Sequence, residues 1–259
     1  MKKIICFLLV LLTASSFAAD KNFPSIPKAM IQATHRLKSD SKGSTSWGAC
    51  VAVDLTSMSL PGKRYLLTAA HCVGPNVSVE IITADGKEWV GAKPVAVDLD
   101  KDIALMVCEK DLPVFVVMSA DTDIGDAVIA IGTPRATVLT ATIGFLADKG
   151  FKSSGPRTSW FQASNAVTHG NSGGPVFDAN KGHLIGIITA VVADIDRAGN
   201  TVSEAPNIAL LVGEPEIESF INDNIDKIRK NKVVKVDQPE AMPIPIPEKK
   251  EKRDELRYE

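Results

Sequence analysis

Three side chains lying far apart in the chain could together perform acyl transfer: His71, Asp102 and Ser172. A serine hydroxyl is a weak nucleophile near neutral pH, so it needs a base within hydrogen-bond reach to take its proton as it attacks. An imidazole is such a base. A carboxylate on its other nitrogen fixes the tautomer and stabilises the cation that forms. Each of the three sits in a distinctive run: Leu66-Leu67-Thr68-Ala69-Ala70-His71-Cys72, Asp102-Ile103-Ala104-Leu105 and Gly170-Asn171-Ser172-Gly173-Gly174-Pro175.

The glycines have a separate purpose. Attack on a carbonyl leaves an oxyanion, which is held by two backbone N–H groups aimed at one point. A tight turn lets the amides of Gly170 and Ser172 converge, and Gly170 can adopt a conformation closed to other residues. Losing one such donor costs about 2.7–4 kcal/mol in comparable sites. Taken singly, each run has an ordinary explanation: a turn, a packed histidine, the end of a loop. All three in the order His…Asp…Ser, each at the edge of a predicted strand, leave coincidence a poor account. The other histidines, His35, His169 and His183, read as structural or exposed.

Positioning these groups falls to short strands. Apolar runs separated by turn signals occupy Trp47–Leu55, Arg64–Thr68, Val77–Thr83, Glu88–Val97, Ile103–Cys108 and Ala127–Ile131. They continue at Val138–Leu146, Ser159–Gln162, Pro175–Phe177, His183–Val192 and Asn207–Val212. About eleven strands over roughly 180 residues predict an all-β fold, two six-stranded antiparallel barrels rather than one sandwich. The expected barrels cover about 29–115 and 125–212, with Asp111 to Gly125 crossing between them. From Glu214 to Lys230 the period changes: Ile217, Phe220, Ile221, Ile225 and Ile228 recur at helical spacing, with acids early and bases late. This predicts one closing helix over 214–230 that packs on a barrel and ends the domain 29–230.

Both ends stand apart. Lys2 and Lys3 head an apolar run, Ile4 to Leu12, and Ser16-Phe17-Ala18 offers a small-x-small cleavage pattern. Residues 1–19 therefore read as an export signal, the rival being an uncleaved anchor. No later segment approaches the roughly 20 apolar residues of a membrane span, so no stable membrane insertion is expected once the signal is cut. The Pro-rich, charged stretch 231–259 reads as a disordered arm. A formal charge of −2 does not point to a nucleic-acid partner. Export allows disulfides, and Cys50, Cys72 and Cys108 remain after the leader, enough for one bridge and one free thiol. They lack metal-ligand spacing with histidine, so neither a metal site nor another cofactor is expected.

Thr-Ala-Ala-His-Cys and Gly-Asn-Ser-Gly-Gly-Pro are signatures of the trypsin superfamily, and the chain resembles its HtrA/Deg branch. Gln162 to Ser172 has the length of that branch's nucleophile segment, and Leu184-Ile185-Gly186-Ile187-Ile188-Thr189-Ala190 is similar to its strand beside the substrate. The resemblance covers roughly Gly48 to Val212. It implies a double barrel with the site in the cleft, His71 and Asp102 from the first barrel and Ser172 from the second. It implies that Thr189 supports Asp102, and that backbone at Thr189, Ala190 and Val191 pairs with an extended polypeptide substrate. It also implies a Cys50–Cys72 disulfide, which requires Cα atoms within about 7 Å.

Three departures matter. Asn171 stands where pancreatic-type enzymes carry an aspartate, so a zymogen switch of that kind is not expected. His169 replaces a proline beside the oxyanion turn. The tail occupies the place of a PDZ domain, so regulation through one is not expected. Ala166 aligns with the floor of the primary pocket, where an acid would select Lys or Arg, and Ile188 replaces the histidine of glutamyl-specific enzymes. A small or medium apolar side chain is therefore the expected preference. The resemblance implies an exported serine endopeptidase, periplasmic or extracellular; the competing readings are a non-catalytic peptide-binding relative and an esterase using the same triad. Oligomeric state is not legible.

Overall fold

The computed structural model describes residues 26–41, 44–60, 65–73, 78–108, 111–112, 116–152, 159–195 and 201–230. The expected export signal (1–19) and arm (231–259) lie outside the described residues. The first barrel comprises β1 (Thr34–Ser41), β2 (Ser44–Val53), β3 (Tyr65–Thr68), β4 (Ser78–Ile82), β5 (Trp89–Asp98) and β6 (Ile103–Cys108). The second comprises β7 (Ala127–Gly132), β8 (Thr140–Lys152), β9 (Ser159–Ala163), β10 (Pro175–Asp178), β11 (Leu184–Ile195) and β12 (Thr201–Gly213). Both close, as β1-β2-β3-β6-β5-β4 and β7-β8-β9-β12-β11-β10, with every pairing antiparallel. The two orders are the same, so one topology is used twice. The expected pair of six-stranded barrels is the fold observed.

Strands β3 and β6 are apolar on both faces because both faces are buried. In the first barrel Cys50, Ala52, Leu66, Ala104 and Met106 fill the interior. Their neighbours Val51, Val53, Leu67, Ile103 and Leu105 join a core with Ile129, Ile131, Phe177 and Val212 of the second barrel. Side chains alternate across a strand, so one face of β2, β3 and β6 fills a barrel while the other packs the two barrels together. The interior of the second is built from Val128, Ala130, Leu146, Phe161, Val176 and Ile185. This shared core is what makes a cleft between barrels a fixed place.

The structure departs from the sequence reading at three elements. Strand β1, and the short helix α1 (Lys28–Ala33) before it, were not anticipated. The β1 sequence is Thr-His-Arg-Leu-Lys-Ser-Asp-Ser, with one aliphatic residue, yet Thr34, His35, Leu37 and Ser39 are all buried. A strand whose inward residues are mostly polar gives no apolar alternation to read. The closing helix is two helices, α2 (Glu214–Asp223) and α3 (Ile225–Arg229). Asn224 separates them: its Nδ2 donates to the Phe220 carbonyl, and its own carbonyl accepts the Lys227 and Ile228 amides, opening the next turn. The apolar stripe survives the break, with Ile217, Phe220, Ile221 and Ile228 buried in the shared core.

Candidate active site

Register brings the imidazole and the carboxylate together. Strands β3 and β6 are antiparallel neighbours with Thr68 opposite Ala104. His71 follows β3 in a short 3-10 turn, Ala70–Val73, and Asp102 immediately precedes β6. The two residues therefore leave the same end of adjacent strands. His71 Nδ1 lies 2.8 Å from Asp102 Oδ2, and the His71 backbone N–H donates to Asp102 Oδ1 at 2.9 Å. Asp102 has φ 54°, in the left-handed region that aspartate tolerates better than most residues. Thr189, from β11 of the other barrel, donates its hydroxyl to Asp102 Oδ2. Burial works against a charge on His71, but the hydrogen bonds and charges of Asp102 and Cys72 outweigh it and raise the imidazole to about 10.

Ser172 sits on the opposite wall, in the turn between β9 and β10, and its carbonyl is held by the first barrel. It accepts the Ala49 N–H at 2.8 Å and faces Cys72 Sγ at 3.7 Å. The turn is closed by Asn171 N–H to Thr168 O and by Gly174 N–H to Asn171 O, and it is tied to β11 through Gly173 N–H to Ile188 O. Glycine is required at two of its positions. Gly173 has φ 80°, and a Cβ there would lie 2.1 Å from Thr68 Oγ1 and 2.2 Å from Ala49 O. Gly170 has φ 93°, and a Cβ would lie 2.3 Å from Thr133 O.

The Gly170 amide is oriented from behind. The His169 carbonyl accepts the Arg135 N–H at 2.7 Å, and the Gly170 carbonyl accepts the Thr133 hydroxyl at 2.8 Å. In a trans peptide the C=O and the following N–H point in opposite directions. Fixing the His169 carbonyl on Arg135 therefore turns the Gly170 N–H the other way. Among the described residues, neither that N–H nor the Ser172 N–H has an acceptor, leaving two donors available for an oxyanion. Sequence reasoning missed Thr133 and Arg135. The run Gly132-Thr133-Pro134 marks a turn, but nothing in it indicates which turn it grips.

His71, Ser172, Thr189, Ala190 and Val191 all line one open cleft of about 390 Å³, together with Thr168 and His169. A second cavity of about 230 Å³ adjoins it, sharing Val167, Thr168 and Ile188. Ala166 lines this cavity with Ala130, Pro134, Thr140 and Thr142, and among the described residues no charged side chain does. Of the other histidines, His35 is buried and His183 partly buried, while exposed His169 borders the cleft and contributes its carbonyl to Arg135.

The expected Cys50–Cys72 disulfide is corrected by the structure: Cys50, Cys72 and Cys108 are all buried free thiols. Cys50 Sγ is directed at the His35 carbonyl (3.8 Å) and Cys72 Sγ at the Ser172 carbonyl (3.7 Å), so each sulfur already faces a different backbone acceptor. Burial, then the neighbouring Cys108 and Cys72, push the Cys50 thiol well above its ordinary range, which leaves it a poor nucleophile. Among the described residues no cluster of His, Cys, Asp and Glu could hold a metal ion.

Twin closed barrels, with an imidazole–carboxylate pair on one and a Gly-Asn-Ser-Gly-Gly turn on the other, define a protein of trypsin-like architecture. The family described as "Trypsin-like peptidase domain" matches residues 48–187, and the chain belongs to it. Among curated proteins, it is 33% identical over 163 residues to the "Probable periplasmic serine endoprotease DegP-like" of Rhizobium meliloti, a match covering 61% of this chain and 31% of that one. The protein of the same description from Bartonella henselae is 32% identical over 199 residues, covering 75% and 36%. The chain thus spans about a third of the length of these relatives. Among solved structures, "HtrA-type protease AlgW with tripeptide" superposes with a TM-score of 0.64 at 26% identity, covering 81% of this chain and 65% of that one. The Rv3671c protease from M. tuberculosis, at 18% identity and TM-score 0.64, shares the fold; the match covers 77% of this chain and 83% of that one.

Proposed function

We propose that this chain is an exported serine endopeptidase in which Ser172 attacks the scissile carbonyl, His71 takes and returns the proton, and Asp102 holds the imidazole. The observation that carries the reading is the His71 Nδ1–Asp102 Oδ2 contact of 2.8 Å in the same cleft as Ser172. With Nδ1 engaged by the carboxylate, Nε2 is the nitrogen left to face the nucleophile. The hydroxyl proton passes to Nε2 as the acyl-enzyme forms and then to the leaving amine; water repeats the cycle to release the acid. Gly170 and Ser172 amides stabilise the oxyanion of both tetrahedral intermediates.

Extended polypeptide is the proposed substrate. Thr189, Ala190 and Val191 line the cleft along β11, where main chain can pair with a peptide strand. The uncharged cavity floored by Ala166 suits a small or medium apolar side chain on the acyl side of the cut bond. Export rests on the leader pattern of residues 1–19 and on the relatives' periplasmic descriptions. The catalytic reading is favoured over a binding-only relative because Ser172 and the Asp102-held His71 border one cleft, beside a turn whose Gly170 and Ser172 amides have no acceptor among the described residues. Labelling with a fluorophosphonate probe tests it, since reaction needs nucleophile, base and oxyanion hole at once. Labelling and casein cleavage should both vanish in Ser172→Ala; cleavage that persists in that variant removes Ser172 from the mechanism.

A further inference from the structure

Segment 133–137 orients the Gly170 amide, yet it is itself an awkward piece of backbone. Arg135 (φ 52°) and Ala136 (φ 61°) are consecutive non-glycine residues in the left-handed region. Such conformations cost of order 1–2 kcal/mol each and persist only where surrounding contacts enforce them. Within the segment, Ala136 N–H reaches Thr133 O and Thr137 N–H reaches Pro134 O, bonds that a relaxed turn could also make. Thr133 and Arg135 are also tied to the Gly170 and His169 carbonyls, and Gly48 O of the first barrel accepts the Thr133 hydroxyl at 3.0 Å. At Ala136 the first barrel adds a further contact. Arg36, on β1, donates from Nη2 to the Ala136 carbonyl at 3.1 Å.

Arg36 is seated to do this. Its guanidinium lies 5.1 Å from the centre of the Trp47 ring, and Trp47 in turn packs against Trp89 with ring centres 6.2 Å apart. Arg36 Nε is buried without a hydrogen-bond partner, so this side chain gives up part of its hydration to stay in place. The chain of contacts runs from Trp47 to Arg36, to the Ala136 carbonyl, through Arg135 N–H to the His169 carbonyl, and so to the Gly170 N–H. We propose that Arg36, braced on Trp47, is a positioning residue that holds the 133–137 segment and thereby keeps the oxyanion donor Gly170 turned into the cleft. This rests on the protease reading given above.

The test compares Arg36→Met, which keeps a stem against Trp47 and loses the donor, with Arg36→Lys and the parent enzyme. For Arg36→Met, kcat on a peptide amide should fall about 10- to 100-fold, the worth of a hydrogen bond from a charged group expressed as rate. KM should stay within about twofold, because an oxyanion donor acts in the transition state. The fluorophosphonate labelling rate should fall in step, and Arg36→Lys should recover part of both. Arg36→Met with the parent's kcat, or with a change in KM alone, overturns the proposal while leaving the protease reading intact. A parent enzyme that neither cleaves nor labels overturns both. If Arg36→Met fails to fold, Trp47→Phe takes its place, and an unchanged kcat there counts equally against the proposal.

Discussion

The hydroxyl of Thr189, on the second barrel, donates to Asp102 Oδ2 on the first, and the same oxygen holds His71 Nδ1. One carboxylate oxygen therefore carries both the orientation of the base and a tie across the cleft. The other, Oδ1, is engaged by the His71 backbone N–H. With both oxygens committed, the Asp102 side chain has little freedom to rotate, and the imidazole inherits that restriction.

Thr189→Val should therefore lower kcat about 10- to 100-fold, since a hydrogen bond to a charged group is lost with the shape retained. Thr189→Ser restores the donor and should recover most of the rate. Steady-state kinetics with circular dichroism as a control for folding decides this; equal rates for Val and Ser variants would remove the hydroxyl from the mechanism.

The pH profile follows from the raised His71. The base must be neutral to accept the serine proton, so the acid limb of kcat/KM should lie above the ordinary 6.5 and toward the value of about 10. Asp102→Asn should move the limb down, as well as lowering the rate. A raised folded-state value also means that this residue's contribution to stability is fully present below pH 6.5 and is lost as the pH rises toward 10. An acid limb at or below 6.5 in the parent enzyme would contradict the geometry around His71.

The residues of the proposed site stood out in the sequence because they sit in compact runs at strand edges, and the strands β3 and β6 beside His71 and Asp102 are apolar on both faces. Ile103-Ala104-Leu105 is readable for that reason. Strand β1 was not, since its buried side chains are Thr34, His35, Leu37 and Ser39. The same blind spot hid Arg36, whose role depends on a carbonyl 100 residues away. Thr133 and Arg135 act through backbone and a single hydroxyl, and backbone donors leave almost no mark on residue identity. The free thiols show a related limit: resemblance suggested which cysteines are neighbours, while the direction of each sulfur depends on local carbonyls.

His35 should make the fold acid-sensitive. It is 1% exposed on β1, and neither ring nitrogen has a hydrogen-bond partner. Burial alone lowers it from 6.5 to about 4. The unfolded chain binds a proton at this residue below pH 6.5 while the folded chain resists until about 4, so stability falls across that window. The loss reaches about 3 kcal/mol at its acid end. Urea unfolding midpoints for the parent should drop between pH 6.5 and 4 more steeply than those for His35→Leu. Parallel curves for the two proteins would rule out His35 as the source.

Selectivity should reside in the cavity of about 230 Å³ that Ala166, Val167 and Ile188 line. Among the described residues it holds no carboxylate, so peptides with Lys or Arg before the cut bond gain no ion pair there and have to bury an unpaired charge, which is costly. Apolar residues of the size of Val or Leu fill it without that cost. Ala166→Phe would occupy most of the space. Its kcat/KM for a Leu-containing peptide should fall about 10- to 200-fold, the range set by a few methylenes in an apolar pocket. The same variant should cleave an Ala-containing peptide at nearly the parent rate, because Ser172, His71 and the oxyanion turn are untouched. Equal losses on both peptides would mean that the substitution had disturbed the Ser172 turn, and a loss on neither would place the side-chain pocket elsewhere in the cleft.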